Sequence, residues 1–306
     1  MTVFLADGGI ETALSDRLGQ QLPEFAAFVL LDTGPGREAL RGYYRPYLEL
    51  AGRSGAPMVL DTPTWRANPD WIALLGYEAA EIDRINAAAV ALVRGIIAET
   101  APRAEVLVNG CVGPRHDDYV AEQRMTAEEA QSYHAPQIAA LAAAGADRVT
   151  GVTIPDAAEG IGIVRAAEQA GVPVLVSFTV GADGRLPSGS TVASAVSEVD
   201  AATGAAPLGY LVNCAHPDEV RRALDSEAGI EASVPGRALA ERLLGFRLNA
   251  ARHGDEGPGD APEDFARGLL SLADLAPSAQ VFGGCCGTDT PHIAAAASMV
   301  FGSQSA

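Results

Sequence analysis

The sequence predicts an α/β chain closed into a (β/α)8 TIM barrel, with residues 1–306 forming one domain. Two observations carry that expectation. Short, β-branched or continuously apolar runs alternate with helical patterns eight times along the chain, and polar or metal-capable residues gather at the ends of those runs rather than at their starts. Short apolar runs of this kind are strands buried on both faces, as in a parallel sheet. Eight such units in a chain of this length point to a closed barrel; a doubly wound open sheet is the alternative.

In chain order, the predicted strands are 3–7 (VFLAD), 57–62 (PMVLDT), 105–111 (EVLVNGC), 148–154 (RVTGVTI), 173–179 (PVLVSFT), 208–214 (LGYLVNC), 243–249 (LLGFRLN) and 279–284 (AQVFGG). Helices are predicted at about 37–54, 78–99, 126–144, 157–171, 190–203, 217–226, 261–275 and 290–301. In the second, Ile82, Ile85, Ala89, Leu92, Val93 and Ile96 follow the spacing of one apolar face. The third opens on Thr126-x-x-Glu129, a capping box, and contains Pro136, which predicts a kink. The longest irregular segments are 101–104, 112–125, 181–189 and 250–260; the last is rich in Gly and Asp and is expected to be mobile.

Composition narrows the function. With 48% hydrophobic and 20% charged residues, the chain can bury a large core. A net charge of −18 leaves no basic face for a nucleic acid or an anionic membrane. All 21 basic residues are arginine, so Schiff-base chemistry through lysine is excluded. Four cysteines are too few for a disulfide framework in a chain this long, which points to a reducing compartment and to metal or thiol chemistry. The segment MTVFLADGG lacks a basic leader region, and no apolar run approaches the ~18 residues of a membrane span. A soluble cytoplasmic protein, compatible with a homo-oligomer, is expected.

The run Gly283-Gly284-Cys285-Cys286-Gly287-Thr288 is the strongest chemical signal. Adjacent cysteines cannot close an unstrained disulfide with each other, but both can serve one metal if the flanking glycines let the backbone turn. Two buried small hydrophobes are the plainer alternative. A barrel enzyme places its site where the strands end. Here those ends carry Asp7, Asp61, Cys111, Asn213-Cys214, Asn249 and Cys285-Cys286, together with Val152-Thr153 and Ser177–Thr179. Cys214 ends strand six, 285 − 214 = 71 residues before Cys285. Three thiolates converging on one rim leave a fourth position open, the layout of a catalytic zinc site. Cys111 is either a fourth ligand or a small pocket-lining residue.

LADGGIETAL, VNGCVGP, LVNCAHP and GGCCGTDTPHI together resemble the zinc-dependent homocysteine S-methyltransferase family, in the right order and across nearly the whole chain. The resemblance implies a (β/α)8 barrel, Zn2+ held by Cys214, Cys285 and Cys286, and Asp7 and Gly9 beside the thiol substrate. Asn213 precedes the first zinc cysteine, as in the family. The implied reaction moves a methyl group from a sulfonium or ammonium donor to homocysteine, giving methionine. The partners are thus a small-molecule thiol and a methyl donor. Asp61 and Thr179 are further pocket candidates.

Three departures bear on the substrate. The family commonly carries a glutamate at the end of strand four, where it helps hold the substrate amine; here Val152 stands in that position, with Asp156 close by. Cys111 stands where a serine is often found. Trp65 and Trp71 replace a smaller polar run, either as a face for a cationic donor or as packing over the mouth. A different small thiol or selenol therefore remains an alternative acceptor. Arg115 either meets a substrate carboxylate or pairs with an acidic loop, while His216 and His292 are expected to pack a loop and a helix start. A metallohydrolase or lyase using zinc-bound water would draw on histidine and carboxylate ligands, yet the five histidines form no metal-ligand pair. A non-catalytic zinc- or thiol-binding protein is the third class.

Overall fold

A computed structural model describes residues 2–116, 124–228 and 236–302. The strands are β1 (Phe4–Ala6), β2 (Met58–Asp61), β3 (Val106–Val112), β4 (Arg148–Ile154), β5 (Val174–Thr179), β6 (Gly209–Asn213), β7 (Leu243–Leu248) and β8 (Val281–Gly284). All pair in parallel with their sequence neighbours, and β8 returns to β1 through Phe4↔Val281 and Leu5↔Phe282. Every predicted run is a strand to within two residues, and closure rules out the open sheet.

The helices are α1 (Ile10–Thr12, running into a wider turn, Ala13–Arg17), α2 (Gly34–Ser54), α3 (Pro69–Leu74), α4 (Ile82–Thr100), α5 (Ala127–Ala143), α6 (Ala157–Ala170), α7 (Val192–Thr203), α8 (Pro217–Ala228), α9 (Gly236–Arg242), α10 (Pro262–Ser271) and α11 (Thr290–Phe301). The predicted capping box forms at α5, where Thr126 and Glu129 exchange side-chain and backbone bonds, and α5 runs on through Pro136. The sequence reading did not isolate α1, α3 and α9, which are too short for helical periodicity to emerge. Pro69 at the first position of α3 is the start signal that was available. Among the described residues, no helix is long and apolar enough to cross a membrane. Of the predicted irregular segment 112–125, residues 117–123 lie outside the described residues.

The barrel interior is layered. Ala6, Val59, Leu175, Leu211 and Val281 form an apolar plug distinct from the larger core between strands and helices. Side chains alternate along a strand, so the same inward rows continue two residues later as Asp61, Ser177, Asn213 and Gly283. A polar layer therefore sits on a dry plug, directly below the C-terminal rim.

Candidate active site

Cys214 follows the last residue of β6, and Cys285-Cys286 follow the last residue of β8. The strand between them, β7, fixes both segments. Cys214 N–H donates to the Arg247 carbonyl (3.1 Å) and Cys285 N–H to the Leu248 carbonyl (2.7 Å). Cys286 N–H donates to Asn249 Oδ1 (3.0 Å). The turn beyond them uses Gly287 at φ +73°, a conformation that is easy only for glycine. Gly9 is required for a different reason: a Cβ there would strike the Cys285 carbonyl.

The three sulfurs lie within 4.8 Å of one another, with Cys214 Sγ and Cys286 Sγ 3.8 Å apart. Tetrahedral zinc with Zn–S bonds of about 2.3 Å spaces its sulfurs by roughly 3.8 Å, so the donor set fits such an ion. Hydrogen bonds from Cys214 and Cys286 hold the Cys285 thiol well below its ordinary range, helped by the Arg247 charge. Cys286 is pushed up by its own hydrogen bonds with Cys214 and Cys285 and by burial. Thiols crowded to share protons in this way can hold a metal ion in their place. Cys111, 5% exposed, lines the cavity but stands outside this group.

The cysteines open onto a cavity of about 300 Å³ at the strand ends, which Gly9, Asp61 and Asn213 also line. Asp7 lies just beneath, fully buried, and Thr179 is not part of the wall. The Thr179 hydroxyl is buried with no hydrogen-bond partner among the described residues.

Asn213 acts as a clamp. Its Oδ1 accepts from Thr153 N–H (2.9 Å) and Ser177 Oγ (2.6 Å), and its Nδ2 donates to Thr153 Oγ1 (2.8 Å). Thr153 and Cys214 both hold left-handed backbones, at φ +65° and +56°. The β4–β5 register shifts between Gly151 and Ile154. Asn213 thus ties the strained end of β4 to the strained start of the cysteine segment, an arrangement worth its backbone cost only where position matters.

The cavity floor is an ion cluster. The Arg247 guanidinium bonds both Asp61 and Asp7, and Asn109 Nδ2 donates to Asp61 Oδ1 (2.7 Å). Burial pushes the Asp7 carboxyl up to about 7, opposed by Arg247 and reinforced by Asp61. Burial works against the Arg247 charge, but Asp61 and Asp7 hold it well above its ordinary range. Glu11, half-buried on α1, also lines the cavity, and burial followed by the charges of Cys285, Asp61 and Asp7 raises it to about 8.

The remaining candidates have structural partners. The Arg66 guanidinium lies 4.3 Å from the Trp65 ring centre and 3.5 Å from that of Trp71, so the protein's own cation meets both tryptophans. Val152 is 8% exposed on the cavity wall and presents an apolar side chain. Asp156 caps α6 by accepting from Glu159 N–H at 2.8 Å. Arg115 pairs with Asp70 (2.8 Å) and lies over Tyr133. His216, 2% exposed, bonds Asp260 at 2.9 Å, and His292 closes the cap of α11. Through Asp260 and the bond from Ala250 N–H to the Cys286 carbonyl (3.1 Å), the 250–260 segment expected to be mobile is tied to the rim at both ends.

Sequence reasoning passed over Arg247, Glu11, Arg66 and Phe25. Arg247 had a signal: one charge within the apolar run LLGFRL needs acids at the same barrel height, and Asp7 and Asp61 end the runs of β1 and β2. Phe25 is 40% exposed at the cavity mouth with φ +59°, a conformation that sequence does not announce.

A family-level comparison matches residues 4–300 to homocysteine S-methyltransferases. The chain belongs to the homocysteine S-methyltransferase family. It is similar to the homocysteine S-methyltransferase of Escherichia coli K12, at 26% identity over 314 residues, covering 96% of this chain and 94% of that protein. Among solved structures, the metallated form of the homocysteine methyltransferase MmuM from Escherichia coli aligns with a TM-score of 0.74 and 24% identity, covering 98% of this chain and 96% of that one. The apo form aligns at 0.68 with 23% identity, covering 97% and 95%. These structures share the barrel. As a member of the homocysteine S-methyltransferase family, the protein is a methyltransferase.

Proposed function

We propose that this methyltransferase moves a methyl group from a sulfonium or ammonium donor to homocysteine, giving methionine, with Zn2+ held by Cys214, Cys285 and Cys286. One observation carries the reading: three sulfurs from two strand ends converge within 4.8 Å of one another on the wall of a substrate-sized cavity. When bound, the ion supplies a Lewis acid that lowers a coordinated thiol from its usual pKa of about 8.5, so that it is a thiolate at neutral pH.

The chain's own residues do the rest. The β7 backbone and Asn249 hold the cysteines in register. Val152, Trp65 and Phe25 give the cavity apolar walls, which favours a reaction in which an anionic sulfur and a cationic donor neutralise each other. A sulfur–methyl bond forms as the donor's methyl–onium bond breaks, and that bond's electron pair stays on the donor.

No disulfide joins any of the four cysteines, which supports a cytoplasmic location, and the family match across 4–300 supports a single barrel domain. A metallohydrolase is disfavoured because the metal-capable group contains neither histidine nor carboxylate. The Val152 wall favours a second reading, in which another small thiol or selenol is the acceptor. Incubating metal-loaded protein with homocysteine and S-methylmethionine, S-adenosylmethionine or betaine tests the proposal. Methionine is expected from at least one donor, and none from any donor refutes it.

A further inference from the structure

Almost every side-chain acceptor around the cavity is already engaged. Asp61 takes Arg247 and Asn109, and Asp7 beneath it takes Arg247 and Tyr43. The amide oxygens of Asn213 and Asn249 hold the β4 end and Cys286 N–H. Thr153 Oγ1 accepts from Asn213, and Thr62 Oγ1 accepts from Cys111 N–H while bonding Thr64. The exception is Glu11. Its carboxylate is met by its own backbone N–H, and among the described residues no side chain donates to it. It lines the cavity together with Asp61 and Cys285.

A carboxylate kept in a cavity beside like charges is costly unless a cation arrives to meet it. The metal is not that cation, because Glu11 lies outside the group of side chains close enough to share an ion. Nor is Arg66, which lies over Trp65 and Trp71.

We propose that Glu11 receives the primary ammonium of the acceptor thiol, making the protein selective for amino-acid thiols over thiols that lack the amine. The assignment rests on the methyl-transfer reading for the identity of the thiol. An ammonium donates several hydrogen bonds to a carboxylate, and such charge-assisted bonds are among the stronger ones. The β4 wall cannot serve, because Val152 offers no side-chain acceptor.

The test is calorimetric titration of the zinc-loaded protein and of Glu11→Gln with homocysteine, with its des-amino counterpart 4-mercaptobutyrate, and with glycine betaine, an onium without an amino group. The wild-type protein is expected to bind homocysteine about 10- to 100-fold more tightly than 4-mercaptobutyrate. Glu11→Gln should erase that preference while 4-mercaptobutyrate affinity and zinc content stay level. Equal binding of both thiols by the wild-type protein overturns the proposal, as does an equal loss for both in the variant. A loss confined to glycine betaine overturns it too, by assigning the carboxylate to the donor. Equal binding of the two thiols by the wild-type protein overturns the proposal even if the variant does not fold. A Glu11-dependent preference without methionine formation supports the Glu11 assignment and refutes methyl transfer.

Discussion

The two sides of the cavity are built on different principles. On the β6–β8 side, three cysteines are held by backbone hydrogen bonds to β7 and by Asn249, so their positions follow from sheet pairing itself. Around the rest of the mouth, at the ends of β1, β2 and β4, Glu11, Arg66 and Val152 are single side chains projecting from α1, a loop and a strand end. A change in the first set disturbs a coupled unit. A change in the second alters what the cavity accepts and leaves the barrel standing. The contrast places the chemistry in the backbone-fixed rim and the selectivity in the single side chains around it.

The sharpest way to break the comparison is at the rim. Cys285→Ala should lower metal content from one ion per chain to near background. Activity should fall by more than the 10- to 100-fold typical of losing a residue that merely supports a ligand. Metal analysis and methionine formation, measured on the same sample, check both. Next is the floor: Arg247→Met leaves Asp7 and Asp61 buried without their cation and should cost about 3–5 kcal/mol in chemical denaturation. Asn213→Ala orphans the buried Thr153 N–H and should cost about 1–3 kcal/mol, with zinc affinity falling as the Cys214 segment loosens.

The side chains around the rim should respond more gently. Burial raises Glu11 to about 8, so the folded state keeps a proton that the unfolded chain releases in the ordinary glutamate range. Linkage then makes Glu11 cost stability progressively as pH rises from about 5 toward 8. Metal-free Glu11→Gln should therefore gain on the wild-type protein across that window and level off above it, as read by denaturation at several pH values. A constant difference would contradict the buried, cation-poor setting of Glu11. The smallest effect is expected at Thr179→Val. The threonine hydroxyl is buried without a partner and off the cavity wall, so stability should hold or rise slightly and kinetics should not change.

The barrel was legible because strands buried on both faces are dominated by apolar residues, as each of the eight runs is. The cysteine rim was legible because few residue types can bind a soft metal, and Cys214, Cys285 and Cys286 stood at strand ends. The wall was not. Arg247 hides inside a run that scores as apolar, and its meaning depends on acids contributed by β1 and β2. Glu11 belongs to a helix of three residues, too short for any periodicity. Trp65 and Trp71 looked available to a ligand, and only the fold reveals Arg66 lying over both rings. Groups that depend on one strand's neighbours could be inferred; groups that depend on which side chains meet across the mouth could not.

The most direct test of the central claim is methionine formation by zinc-loaded protein from homocysteine and a set of sulfonium and ammonium donors, with Cys285→Ala run in parallel. The account predicts methionine from at least one donor and none from the variant. No methionine from any donor, or full activity in a zinc-free protein, would contradict it.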